Sequence, residues 1–274
     1  MLSAIILGVV QGLTEFLPVS SSAHLVIAGE LVGLPTGGLT TAIVVHLGTL
    51  LAVVIVFWTD LVGMVVGFLA GLWSGLTRRQ SWAEIWEYPG FRLSMLVAVG
   101  SLPALVAGLL LEDYFSRLFA STSAVGGLLL VTGALLWVGS ALRPRDRVVE
   151  AMKPGQALFV GIWQALAILP GISRSGSTVV GGLLAGLRKE DAARFSFLMS
   201  VPAILGASLV DLSNLAGAAA EHGPVLLAAF AAAAISGFLA IRCFLALLRR
   251  RGLRGFAYYC WAAGLVILVW QRLG

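Results

Sequence analysis

Two short stretches of this chain set reactive side chains around a proline break. The first holds Gln11, Glu15, Ser20, Ser21, Ser22 and His24 around Leu17-Pro18-Val19. The second reads Leu169-Pro170-Gly171-Ile172-Ser173-Arg174-Ser175-Gly176-Ser177-Thr178. Gln11 and Glu15 lie four residues apart, so on a helix both leave from one face. Two oxygen-bearing groups on one face can hold a hard divalent cation, Mg²⁺ or Ca²⁺, when phosphate oxygens complete its shell. Glu15 could instead serve as a general base. His24 brings an imidazole able to act as nucleophile, base or acid near neutral pH. Each serine cluster opens a helical limb just after its proline, where backbone N–H groups favour an anion. The hydroxyls of Ser20, Ser22, Ser173, Ser175 and Thr178, with the planar fork of Arg174, suit phosphate oxygens.

The elements that carry these groups are built for lipid. Of 274 residues, 59% are hydrophobic and only 11% charged, where a soluble domain is about a quarter charged. The apolar residues cluster into runs near the ~20 residues a helix needs to cross a bilayer. Spanning helices are expected near 40–58, 92–111 and 123–142, then 192–212, 224–248 and 255–273. The stretch 61–76 reads as an extension of the first spanner or an interfacial helix. The limbs flanking the two proline breaks are shorter, about 12–16 residues by the spacing of the breaks. Non-helical backbone at membrane depth survives only against protein or a wet cavity. The two stretches therefore read as re-entrant helix hairpins lining one polar cavity. The expected fold is all-α and polytopic: one membrane domain over 1–274, with inverted-repeat halves of about 1–142 and 155–274.

Loop charge supports that topology. The loops near 74–92, 143–153, 188–194 and 249–254 carry Arg78, Arg79, Arg92, Arg143, Arg145, Arg147, Lys153, Arg188, Lys189, Arg194, Arg249, Arg250, Arg251 and Arg254. The loops near 33–39, 112–122 and 213–223 carry only Arg117 among lysines and arginines. The basic set is expected in the cytoplasm, with both termini and the mouth of the active site outside. The net charge of +5 then reflects topology and not nucleic-acid binding. Glu30, Asp60, Glu112, Asp113, Asp211 and Glu221 read as interfacial charges, His46 as structural and His222 as solvated. Cys243 and Cys260 read as small buried apolar groups.

The first motif, from Gln11 through His24, resembles the first signature of the bacterial undecaprenyl-diphosphate phosphatases, also called bacitracin-resistance proteins. Pro170 through Thr178 looks like the second, and Phe195-Ser196-Phe197-Leu198 with Val201-Pro202 also fits. The resemblance covers essentially the whole chain. It implies an inner-membrane hydrolase that converts undecaprenyl diphosphate to undecaprenyl phosphate and recycles the lipid carrier for peptidoglycan synthesis. It places Ser21, His24 and Arg174 in the active site with Glu15, and links Gln11 and Glu15 to a divalent cation. Position 11 is Gln where some members have Glu, which leaves Glu15 as the main carboxylate. The nucleophile stays open between Ser21, His24 and a water held by them.

The expected partners are the polyprenyl diphosphate and membrane lipid, with a homodimer left open. The alternative is a polyprenyl-phosphate flippase or transporter, because paired broken helices also suit alternating access. An acid-phosphatase-like lipid phosphatase would need a second histidine after its Ser-Arg element. Here the next histidine after Arg174 is His222, in a loop expected on the outer side.

Overall fold

The computed structural model describes residues 1–31, 33, 39–119, 121–143, 145–210 and 212–273. Its regular elements are all helices. They are α1 (Leu2–Phe16), α2 (Ser21–Leu31), α3 (Leu39–Val56), α4 (Trp58–Leu76), α5 (Trp82–Trp86), α6 (Pro89–Leu110), α7 (Glu112–Phe119) and α8 (Thr122–Ala141). A 3-10 turn (Val149–Ala151) follows, then α9 (Pro154–Leu166), α10 (Arg174–Leu184), α11 (Lys189–Val210), α12 (Leu212–Arg251) and α13 (Arg254–Leu273).

The proline breaks form where the sequence puts them. Residues before proline avoid the helical region, and Leu17 is extended with φ −69° and ψ 141°. The chain then turns through Ser20, at φ 67°, before α2 begins. In the second break Gly171 takes φ 101°, and Ser173 caps α10 by accepting the Gly176 N–H. The limbs α1, α2, α9 and α10 have 15, 11, 13 and 11 residues. At 1.5 Å per residue none covers the roughly 30 Å of hydrocarbon.

Long helices surround these pairs. Among the described residues, four stretches are long and apolar enough to cross a membrane: α4, α6, α8 and His222–Arg251 of α12. The kink at His222, with φ −124° and ψ 21°, divides α12. The helices at 39–56, 89–110, 122–141 and 254–273 match the expected spanners in place. The stretch 61–76 falls within α4. That helix does extend α3, across the single residue Phe57, yet it is a separate 19-residue helix of spanning length and composition. Its contacts with α6 fall at the start of that helix: Ser94 donates to the Met64 carbonyl at 2.9 Å, and Gly67 closes on the backbone of Gly90 and Phe91. Small residues four apart on α4 allow that approach.

Contacts between the helices pair across the chain's middle. α1 packs on α12 and α9 packs on α6, while α8 meets α13 and α3 meets α11. The aromatic centre is Phe197, with Phe16, Phe57 and Phe244 at centroid distances of 5.6, 5.7 and 5.8 Å. Cys260 is buried there, its thiol 3.5 Å from the Pro18 carbonyl oxygen. Cys243 is exposed, a correction to the expectation that both are buried: an apolar run in a membrane protein can face lipid as well as the core.

The four basic loops lie at one end of the bundle. Arg92 donates to the Met152 carbonyl at 3.2 Å, and the Arg188 N–H to Arg147 at 3.0 Å. Arg249 sits 3.6 Å from Glu190. Asp60 is more than an interfacial charge: Arg194 binds it at 2.5 Å and Glu150 at 2.6 Å. At the other end Thr122 donates to Glu30 at 3.4 Å, and Ser123 donates to Gln271. Asp211 lies outside the described residues.

Candidate active site

The two proline breaks clasp each other. The Gly171 N–H donates to Ser22 Oγ at 3.3 Å, and Ser175 Oγ donates to the Leu17 carbonyl at 3.2 Å. Behind them Thr132 of α8 locks the second turn. Its hydroxyl donates to the Gly171 carbonyl at 2.8 Å and accepts the Ser173 N–H at 3.0 Å. Backbone groups freed by the breaks are thereby satisfied inside the protein, as an apolar surrounding demands.

The clasp brings the Glu15 carboxylate against the Arg174 guanidinium. Arg174 Nη2 donates to Glu15 Oε1 at 2.5 Å, joining residues 159 apart in sequence. The Glu15 and Arg174 side chains are 7% and 16% exposed. The other carboxylate oxygen, Oε2, accepts the Ser21 hydroxyl at 2.6 Å and the Gln11 amide N–H at 2.9 Å. Arg174 is steadied from α11, where its Nη1 lies 3.4 Å from the Ser196 carbonyl. A buried pair of this kind is held by its hydrogen bonds as much as by charge; losing one partner costs about 3–5 kcal/mol.

Glu15, Ser21, Gln11 and Arg174 therefore meet at one point. His24 does not join them. Its Nδ1 lies 2.8 Å from the Ser20 carbonyl and its Nε2 2.7 Å from the Tyr259 hydroxyl. The remaining predicted hydroxyls hold the frame. Ser20 Oγ pairs with Ser22 Oγ at 3.1 Å, and Ser173 Oγ with Ser175 Oγ at 3.2 Å. Thr178 donates to the Arg174 carbonyl at 2.8 Å and lies 2.6 Å from Ser196 Oγ.

Sequence reasoning gave no site role to Ser196, Thr132 or Tyr259, and it read His46 as structural. His46 Nε2 is 3.9 Å from Glu15 Oε2, beside the carboxylate but beyond hydrogen-bond distance. Ser196 lies within the third quoted motif, which is the signal that could have found it. Thr132, His46 and Tyr259 are isolated polar residues in apolar runs, and nothing local marks them.

The donor set fits a divalent cation only when a ligand shares it. Among the described residues no group of three His, Cys, Asp or Glu side chains could hold a metal alone. Gln11 Oε1, however, is buried without a hydrogen-bond partner, beside Glu15 on the same helix face. One amide oxygen and one carboxylate match Mg²⁺ sites that draw their other ligands from phosphate and water.

The chain resembles known proteins along nearly its whole length. A family profile described as bacitracin resistance protein BacA matches residues 4–266. A Desulforapulum autotrophicum protein named undecaprenyl-diphosphatase is 42% identical over 97% of this chain and 96% of its own length. Proteins of the same name from Halothermothrix orenii and Methanosphaera stadtmanae are each 41% identical. They cover 97% and 98% of this chain, and 96% and 97% of their own lengths.

Proposed function

The chain belongs to the bacitracin resistance protein BacA family, and from that membership we propose that it hydrolyses undecaprenyl diphosphate to undecaprenyl phosphate and inorganic phosphate in the inner membrane. The observation that carries the reading is a single carboxylate, Glu15, gripping a hydroxyl nucleophile and a guanidinium contributed by separate breaks. The relatives' shared name sides with hydrolysis over transport.

In the resting site Arg174 is bound to Glu15. A terminal phosphate competes for that guanidinium, because the planar fork can turn from one carboxylate oxygen to two phosphate oxygens. Release of Arg174 leaves Glu15 facing the Ser21 hydroxyl, from which it already accepts a hydrogen bond. Glu15 takes the Ser21 proton as Oγ attacks the terminal phosphorus. The bond to the bridging oxygen breaks, and its electron pair leaves on the lipid monophosphate. The departing lipid monophosphate takes that proton from Glu15. Water then attacks the phosphoserine phosphorus, Glu15 accepts the water's proton and returns it to the departing Ser21 Oγ, and inorganic phosphate is freed. Phosphoryl transfer of this kind is governed by positioning and charge stabilisation, which is Arg174's task. Gln11 Oε1 and Glu15 would hold a divalent cation, which would add charge neutralisation at the phosphate oxygens.

The membrane placement belongs to the same proposal. The short limbs α1–α2 and α9–α10 are re-entrant hairpins from opposite faces, and the halves 1–142 and 155–274 form an inverted repeat. The pairing of α1 with α12 against α9 with α6 supports it, as does the gathering of basic loops at one end. By charge that end is cytoplasmic, and both termini and the head-group entrance face outward. The test is phosphate release from undecaprenyl diphosphate by purified protein, with and without chelator. Release that stops with chelator and with Ser21→Ala supports the reading. Undiminished turnover by Ser21→Ala would remove serine as nucleophile and leave water in its place.

A further inference from the structure

His46 of α3 brings a ring nitrogen with no hydrogen bond to the edge of the Glu15 cluster. Its Nδ1 lies 2.7 Å from the Ala42 carbonyl oxygen, which can only accept, so in the neutral ring the proton sits on Nδ1. Nε2 then carries the lone pair, and among the described residues no hydrogen bond reaches it. It stands 3.9 Å from Glu15 Oε2. An imidazole whose Nδ1–H is tied to a backbone carbonyl, with its Nε2 bare beside a carboxylate, is the usual posture of a histidine that ligates a metal. A polar group placed at membrane depth and left half satisfied is expensive unless it has such a task.

A second observation points to the same ion. The Gln11 amide touches that same Glu15 Oε2, at 2.9 Å through its N–H, and holds its Oε1 buried without a partner. A half-turn of the amide exchanges donor for acceptor and offers the oxygen instead. Ligand atoms about 2.0–2.2 Å from one ion stand about 3 Å apart at right angles and about 4 Å apart across it. The 3.9 Å between Nε2 and Oε2 falls inside that range. Only two of these donors come from His, Cys, Asp or Glu side chains, so phosphate or water must still complete the shell.

We propose that His46 Nε2 is a third protein ligand of the divalent cation, beside Glu15 and Gln11. One imidazole among oxygen donors turns the site toward a transition ion such as Mn²⁺ and away from Mg²⁺ or Ca²⁺, which prefer oxygen alone. The inference rests on the phosphatase reading and its cation, and it gives His46 a ligand's role in place of the structural one expected from sequence.

The test is electron paramagnetic resonance of Mn²⁺ bound to the full-length protein in detergent, with inorganic phosphate present to complete the shell. The spin echo is expected to show modulation by a coordinated imidazole nitrogen, and ¹⁵N-histidine labelling to change its frequency. The chain has three histidines. His24→Gln and His222→Gln are expected to keep the modulation and His46→Gln to lose it. His46→Gln substitutes an oxygen donor, so its Kd for Mn²⁺ should rise roughly tenfold or more. Its Kd for Mg²⁺, read by competition, should stay within about threefold. No bound Mn²⁺, no nitrogen modulation in wild type, loss of the modulation in His24→Gln or His222→Gln, or its survival in His46→Gln each overturns the proposal. A histidine that only lends charge to Glu15 would give no modulation. Should His46→Gln fail to fold, the labelled wild type and the other two variants still assign the nitrogen by elimination. Phosphate release measured alongside is independent: its absence in wild type would remove the phosphatase reading, while the modulation would still decide whether His46 is a ligand.

Discussion

The two proline breaks look alike in sequence and do different work. The first turns through a serine in the left-handed region, Ser20 at φ 67°, and presents Glu15 and Ser21 to each other. The second turns through a glycine, Gly171 at φ 101°, and starts α10 with a conventional Ser173 cap. Backbone strain at a non-glycine residue sits on the side with the reactive groups, where a local cost of about 1–3 kcal/mol is commonly held by surrounding structure. The relaxed break delivers one cation, Arg174. On the proposed reading, the comparison teaches that two similar breaks need not share one chemistry: the first would react, and the second would orient and neutralise.

The sharpest way to break that comparison is to remove the contact between the copies. Glu15→Ala and Arg174→Ala should each lower phosphate release by at least about 100-fold, the range seen when one preorganised stabilising group is lost. Each should also cost stability, because the surviving charge stays buried without its partner. Turnover near wild type in either variant, measured on folded protein, would end the argument. Comparable in size, Ser21→Ala should remove nearly all turnover, whereas Ser175→Ala should lower it only a few-fold. Ser175 loses a single hydrogen bond to the Leu17 carbonyl. Equal losses from both serines would mean that the breaks share the reaction.

Much of this arrangement was legible before any coordinates. Pro18 and Pro170 forbid a continued helix, so the short limbs follow from chain geometry. Two hairpins expected to line one polar cavity, one carrying Glu15 and the other Arg174, already implied that these two groups share a site. What stayed hidden depended on distant chain segments. Thr132 and Tyr259 are single polar residues in apolar helices, and only packing against a break gives them a role. His24 was expected close to the Ser21 reaction, but its ring is drawn to Tyr259 instead. The boundary between α3 and α4 was not legible because Phe57 is an apolar residue that carries no breaker signal.

The turns themselves offer a smaller contrast. Gly171→Ala should destabilise the protein by about 2 kcal/mol or more, since φ near 100° is costly for any side chain. The added methyl would also crowd Val125 and Leu128 of α8. Ser20→Gly relieves a similar conformation in the first break while losing the Ser22 hydroxyl contact. Its stability should stay within about 1 kcal/mol of wild type. Thermal unfolding in detergent measures both. A tolerated Gly171→Ala would show that the second turn is not pinned by α8.

The smallest expected effect separates the breaks most cleanly. Gln11 and Gln164 hold corresponding places ahead of their prolines. Four residues on, Gln11 meets Glu15, and its amide donates to that carboxylate at 2.9 Å. Four residues on from Gln164 stands Ile168, and both Gln164 amide atoms are buried without a hydrogen-bond partner. A buried amide left unpaired costs about 1–3 kcal/mol, and an apolar replacement of similar shape can recover it. Gln164→Leu should therefore leave turnover unchanged and stability equal to wild type or up to about 2 kcal/mol higher. Gln11→Leu should lower turnover roughly tenfold, because it removes a donor to Glu15 and an oxygen open to a cation. Assaying the pair at several Mg²⁺ concentrations separates those two losses. A defect at Gln11 that shrinks as Mg²⁺ rises marks the oxygen; one that does not marks the donor. A comparable loss of turnover in Gln164→Leu would place working chemistry in the second break as well.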